Sequence, residues 1–258
     1  MREYLPSGIC MFVLEILLLL FYCKVIAGNT WVYAPIEIWI TGCDVADFFL
    51  PLIASLPFSF LLFYKRKNNF MQYAGIRISL KKYTNQHILS AMIIAGVGTF
   101  FAYFLSLIIA TQWMYQDSLR VDPYIYDYIW GNYQAEYPLM FGFIWCLWKG
   151  FVTSLFTLFG QKIALYVENL FIVSLTPFLY CMAENLVTAL LGKPAYSIFT
   201  SFILNRLNPD VMHWWNYGIG VISYLVATNI IIILIKNFQG MRYDEQIITT
   251  GSIAARIK

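Results

Sequence analysis

Four ionisable side chains, Glu15, Asp47, Lys149 and Glu168, fall inside long apolar runs of this 258-residue chain, and Asp44 and Glu184 lie at the ends of such runs. A charge at the centre of a bilayer costs about 3 kcal/mol or more, so groups of this kind face protein or water. They mark either a structural ion pair or a route for substrate or protons. If Gly160, Gln161 and Lys162 form a tight turn between antiparallel helices, Lys149 and Glu168 lie on either side of it, at depths that differ by roughly 9 Å. An ion pair between them is the expectation, and a pathway through Glu15, Lys149 and Glu168 is the alternative.

Other chemistry is missing. The two histidines, His87 and His213, are far apart in the chain, so a His-based metal site is not expected. There is no H-E-x-x-H, no G-x-S-x-G and no phosphate-binding G-x-x-x-x-G-K-[ST]. The nearest approach to the last, Gly192-Lys193, is followed by Pro194. No catalytic residue, metal ligand or cofactor site is expected. The five cysteines, Cys10, Cys23, Cys43, Cys146 and Cys181, include no C-x-x-C pair and read as small packing residues.

The elements that must position these charges follow from composition. The chain is 60% hydrophobic, 19% aromatic and only 12% charged, with a mean hydropathy of +0.65, against roughly a quarter charged in soluble domains. An ordinary soluble enzyme is excluded, and so is a disordered chain. Each helical crossing needs about 20 apolar residues. Runs at 9–26, 45–64, 88–110, 139–158, 163–182 and 219–235 predict an all-α fold of six spans forming one transmembrane domain over 1–258. The first run could pass for a cleavable signal peptide, but its length, Glu15 in its middle and the five later runs favour a true span.

Orientation follows from the basic residues, which are retained in the cytoplasm. With the N-terminus inside, the internal segments hold Arg2, Lys65, Arg66, Lys67, Arg77, Lys81, Lys82, Lys162, Lys236, Arg242, Arg256 and Lys258. Only Lys24, Arg120, Lys193 and Arg206 fall outside. An N-in, C-in protein of a cell membrane is predicted, with its basic face toward anionic lipid or an acidic partner. A net charge of +3 does not imply nucleic acid.

The connections are unequal. In the internal segment from Lys65 to His87, Phe70, Tyr73, Ile76, Leu80 and Tyr83 recur at helical spacing behind a basic cluster. That pattern fits a short amphipathic helix, read either as an interfacial anchor or as a docking element, with Ser79 capping a new helix into span three. Externally, Trp113, Tyr115, Tyr124, Tyr126, Tyr128, Trp130, Tyr133 and Tyr137 form an interfacial belt or a binding lip for an amphipathic substrate. Two short runs, 186–191 and 198–204, split by Gly192-Lys193-Pro194, predict a re-entrant or surface helical pair before span six. Pro177 would kink span five.

In this order of elements, and in the stretches from Asp47 to Pro57, Tyr64 to Tyr73 and Ile76 to Tyr83, the chain resembles the type-two ATP-binding-cassette exporter permeases, particularly the small ones of Gram-positive bacteria. The resemblance covers nearly the whole chain in architecture and carries no invariant catalytic signature. It departs at the N-terminus, where too few residues precede span one for the interface helix that many members have. It implies a non-enzymatic half-transporter in a bacterial cytoplasmic membrane. A second permease copy and a separate ATPase subunit would complete it, the latter docking on Asn69, Phe70, Met71, Gln72, Tyr73 and Arg77. An amphipathic peptide, antibiotic or lipid-like cargo, and hence multidrug or bacteriocin resistance, would follow. The rival is a stand-alone secondary transporter or channel using Lys149, Glu168 and Glu15.

Overall fold

A computed structural model describes residues 2–29, 35–68, 70, 79–113 and 123–256, with side chains for 3–28, 35–68, 70, 79–113 and 125–237. The described residues form helices and no strand. They comprise α1 (Leu5–Asn29), α2 (Pro35–Lys67), α3 (Leu80–Gln112), the short α4 (Gly131–Glu136), α5 (Pro138–Ala164), α6 (Leu170–Leu190), the short α7 (Ile198–Phe202) and α8 (Asn216–Arg256). Six of these, α1, α2, α3, α5, α6 and the segment Asn216–Asn237 of α8, are long and apolar enough to cross a membrane. The chain is a multi-pass membrane protein.

Several boundaries differ from the sequence expectation. Helices α2 and α3 each contain 33 residues, about 50 Å at 1.5 Å per residue, against a hydrocarbon core of about 30 Å. Both outrun their apolar stretches, because their polar ends still close backbone hydrogen bonds within the helix. The expected turn at Gly160-Gln161-Lys162 is helical and lies within α5. Gly160 does not break the helix. It sits where α5 crosses Ser55 and Ser59 of α2, a place with no room for a side chain. Gln161 then donates to the Phe58 carbonyl at 2.5 Å. The actual turn is Leu165 to Asn169, and the Asn169 side chain caps α6 by accepting from the amides of Phe171 (2.9 Å) and Ile172 (3.4 Å).

The run 186–191 is likewise the last turn of α6 and the residue after it, so only the second run forms a separate helix, α7. Gly192, at φ +68, provides the left-handed residue that ends α6. Ser79 stands at the N-cap of α3 as expected, without a side-chain capping bond.

Of the helices that share the buried core, which include α6, α7 and α8, the four core helices α1, α2, α3 and α5 pack most extensively on one another, through small residues. Helices α3 and α5 meet at Gly96 and Gly150, where a Cβ on Gly150 would lie 2.6 Å from the Gly96 carbonyl oxygen. Such contact lets backbones approach closely in a medium that offers no hydrophobic drive. Ser154 adds a bond to the Met92 carbonyl (2.9 Å), and Thr157 one to the Ala54 carbonyl (3.0 Å). All five cysteines are free thiols.

Candidate functional site

Lys149 on α5 reaches a membrane-depth carboxylate, but its partner is Asp47 on α2 rather than Glu168. The ammonium of Lys149 pairs with Asp47 Oδ2, and both side chains are 1% exposed. Tyr103 on α3 donates its hydroxyl to Asp47 Oδ1 at 2.6 Å, and Lys149 Nζ lies 4.7 Å from the Tyr103 ring centroid. One turn along α3, Thr99 donates to Glu15 Oε1 of α1 at 2.9 Å. Toward the opposite end, Ser106 accepts from the Trp39 indole at 3.0 Å. Thr99, Tyr103 and Ser106 recur at spacings of four and three, so they share the face of α3 that meets the buried charges.

Glu168 is exposed in the turn between α5 and α6, beyond the end of α5, which alone puts it about 22 Å along the axis from Lys149. It takes no part in the buried pair.

One end of the bundle gathers the cations. Lys65, Arg66 and Lys67 close α2, Lys81 and Lys82 open α3, and Lys162 and Lys236 lie near the ends of the α5 and α8 spans. The chain start is clamped there. Glu3 pairs with Lys65, which holds the Glu3 carboxyl below its ordinary range. Tyr4 is fully buried between Phe58 and His87, its hydroxyl 3.2 Å from His87 Nδ1, and burial raises its pKa. Arg66 donates to the Val167 carbonyl at 2.5 Å, tying α2 to the α5–α6 turn. Phe70 is 48% exposed, with Lys65 Nζ 5.9 Å from its ring centroid. Of the residues expected to contact an ATPase, Asn69, Met71, Gln72, Tyr73 and Arg77 lie outside the described residues.

The other end is aromatic. A groove of about 980 Å³ opens between α5 and α8, walled by Trp130, Tyr133, Tyr137, Trp145, Trp214 and Trp215 among others. Trp130, Tyr133 and Tyr137 belong to the external cluster expected as a belt or lip, whereas Trp113 is 84% exposed. Trp145, Trp214 and Trp215 carry no short motif that marks them as groove walls; the bundle brings them together.

Below this groove α7 is held by polar contacts. Glu184 accepts from the Ser197 hydroxyl (2.8 Å) and the Ile198 amide (3.2 Å), and Arg206 donates to Asn185 (2.7 Å) and Thr200 (3.2 Å). Burial pulls the Arg206 guanidinium below its ordinary value, opposed by Glu184 and Asp44. The amides of Gln134 and Asn205 exchange hydrogen bonds of 2.9 and 3.3 Å, locking α4 to the loop after α7. Sequence reading missed this network because nothing local links residues 134 and 205.

Among the described residues no group of three His, Cys, Asp or Glu side chains is placed to hold a metal ion. Comparison of the chain with protein-family models, curated proteins and solved structures finds no match.

Proposed function

We propose that this chain is the membrane-spanning subunit of an ATP-driven exporter of the ATP-binding-cassette type, working in a bacterial cytoplasmic membrane. In this reading a separate ATPase subunit docks at the basic end, two permease chains form the transport path, and the cargo is an amphipathic peptide, antibiotic or lipid-like molecule. The observation that carries it is the contrast between the two ends. One end bears cations on helices that outrun the membrane thickness. The opposite end bears an aromatic groove open to the side.

The physical logic joins these ends. Lys and Arg are retained in the cytoplasm, which puts the basic end where ATP is found. An indole or phenol wall suits a molecule with an apolar body and a polar tip. Closure of the ATPases would move the extended ends of α2 and α3, and the buried crossings at Gly96, Gly150 and Lys149 would carry that movement as shifts of packed helices.

The test is a substitution at Phe70, just beyond α2. Phe70→Asp removes an exposed apolar side chain and is expected to abolish ATP-dependent efflux of an amphiphilic dye from cells while leaving the amount and thermal stability of the chain unchanged. Undiminished efflux in that variant would contradict the docking reading.

A further inference from the structure

The ion pair between Lys149 and Asp47 leaves a third buried charge-bearing group unmatched. Glu15 is 1% exposed, and its carboxyl receives one bond, from the Thr99 hydroxyl to Oε1, while Oε2 has no partner among the described residues. The unsatisfied atom has company. Asp44 Oδ1, one turn from Asp47 on α2, and Thr153 Oγ1, one turn from Lys149 on α5, are also buried without partners among the described residues. Pro51 lies four residues after Asp47 within α2 and has no N–H to give to the Asp47 carbonyl. Polar atoms left over on α1, α2 and α5 thus flank the pair on both sides, an arrangement that buried water ordinarily completes.

The charges sharpen this. Glu15 and Asp47 are two carboxyls, Asp44 one turn along α2 is a third that also feels the charge of Arg206, and Lys149 is the ammonium paired among them. An uncompensated charge at this depth costs several kcal/mol, so Glu15, which has no cation paired to it, calls for a positive charge. No three His, Cys, Asp or Glu side chains converge to hold a metal ion among the described residues. A proton needs only one oxygen, and Glu15 Oε2 is free to hold it.

We propose that Glu15 is a proton-exchange site, with the Lys149–Asp47 pair as the charge that sets its affinity. In the step, the O–H bond at Glu15 Oε2 breaks and its electron pair stays on the carboxylate, while a lone pair of a water in the seam forms the new O–H bond, and the resulting hydronium hands a proton on to the next water. The titratable groups that act on Glu15 are Asp47 on α2, Tyr103 on α3 and Lys149 on α5, with Cys43 and Asp44 of α2 and Cys146 of α5 beside the ion pair. Lys149 is the only cation among them. Motion of α5 against α2 that parts Lys149 from Asp47 would therefore change which carboxyl holds the proton. This inference is independent of ATP drive and holds for any transporter built on this core.

The test is infrared difference spectroscopy on the purified chain in nanodiscs, taken from acid to alkaline pH. The proposal expects a protonated-carboxyl band that vanishes as pH rises. That band is expected to be lost in Glu15→Gln, which keeps the shape and the Thr99 acceptor, and shifted in its midpoint in Lys149→Met. The other 13 Asp and Glu carboxyls titrate in both proteins, so the readout is the wild-type spectrum minus that of Glu15→Gln, and a difference with no titrating carboxyl band overturns the proposal. A band that disappears on exchanging choline for sodium at fixed pH also overturns it, in favour of a metal cation. Size-exclusion profiles matching wild type establish that each variant is folded before its spectrum is read.

Discussion

The ammonium of Lys149 on α5 pairs with the carboxylate of Asp47 on α2, 102 positions earlier, and neither side chain is more than 1% exposed. Tyr103 completes the carboxylate from a third helix. Three of the four core helices are thus tied at one level by a charge and its satisfied partners, so the pair fixes their register.

Removing one partner leaves the other charge buried alone. Lys149→Met is expected to cost about 3–5 kcal/mol, whereas the double variant Lys149→Met/Asp47→Leu recovers most of that loss, because an apolar pair of similar volume needs no desolvation. Thermal unfolding of wild type and the two variants in detergent checks it. A double variant no better than the single would show that the pair is not coupled.

The helix crossing at Gly150 gives a second prediction. Gly150→Ala places a methyl 2.6 Å from the Gly96 carbonyl oxygen and is expected to destabilise by about 1–3 kcal/mol. Gly218→Ala, which meets nothing within 4 Å, is the control and should be neutral or slightly stabilising, since alanine favours helix by up to about 1 kcal/mol. Equal melting temperatures for the two variants would contradict the crossing.

How far all this was legible beforehand differs by element. The six helices were readable because each crossing must bury a long apolar run, and Lys149 stood out as a charge inside one. Its partner was not readable. The depth estimate for Glu168 assumed that Gly160 ends a helix, and a glycine in a close crossing does the opposite: it lets α5 continue against Ser55 and Ser59. Asp47 belongs to a helix distant in sequence, and only three-dimensional packing joins them. The aromatic external loop was legible as a feature, but its junction with Trp145 and Trp214 was not, for the same reason.

The N-terminal clamp is sensitive to acid. The Glu3 carboxyl is held below its ordinary value of 4.5 by Lys65, so its contribution is complete above that value and fades as pH falls through the lowered one. Glu3 is more than half exposed, which keeps the effect under about 1 kcal/mol. Melting curves of wild type and Glu3→Gln should differ slightly at neutral pH and converge in acid. A gap that widens in acid would reverse the sign.

The groove is expected to be where cargo rests. Trp214 and Trp215 line it and are 67% and 42% exposed, so Trp214→Ala/Trp215→Ala should leave the fold intact while weakening binding of a fluorescent amphiphile about tenfold, or about 1.4 kcal/mol. Fluorescence titration in nanodiscs measures this. Unchanged affinity would place the cargo elsewhere.

The most direct test of the exporter reading is to purify the chain gently from its native membrane and reconstitute it in liposomes with and without the proteins that accompany it. The account predicts that efflux of an amphiphile requires ATP and a companion ATPase, and that Phe70→Asp loses both the companion and the efflux while remaining folded. Efflux by the chain alone, driven by an ion gradient without ATP, would contradict it.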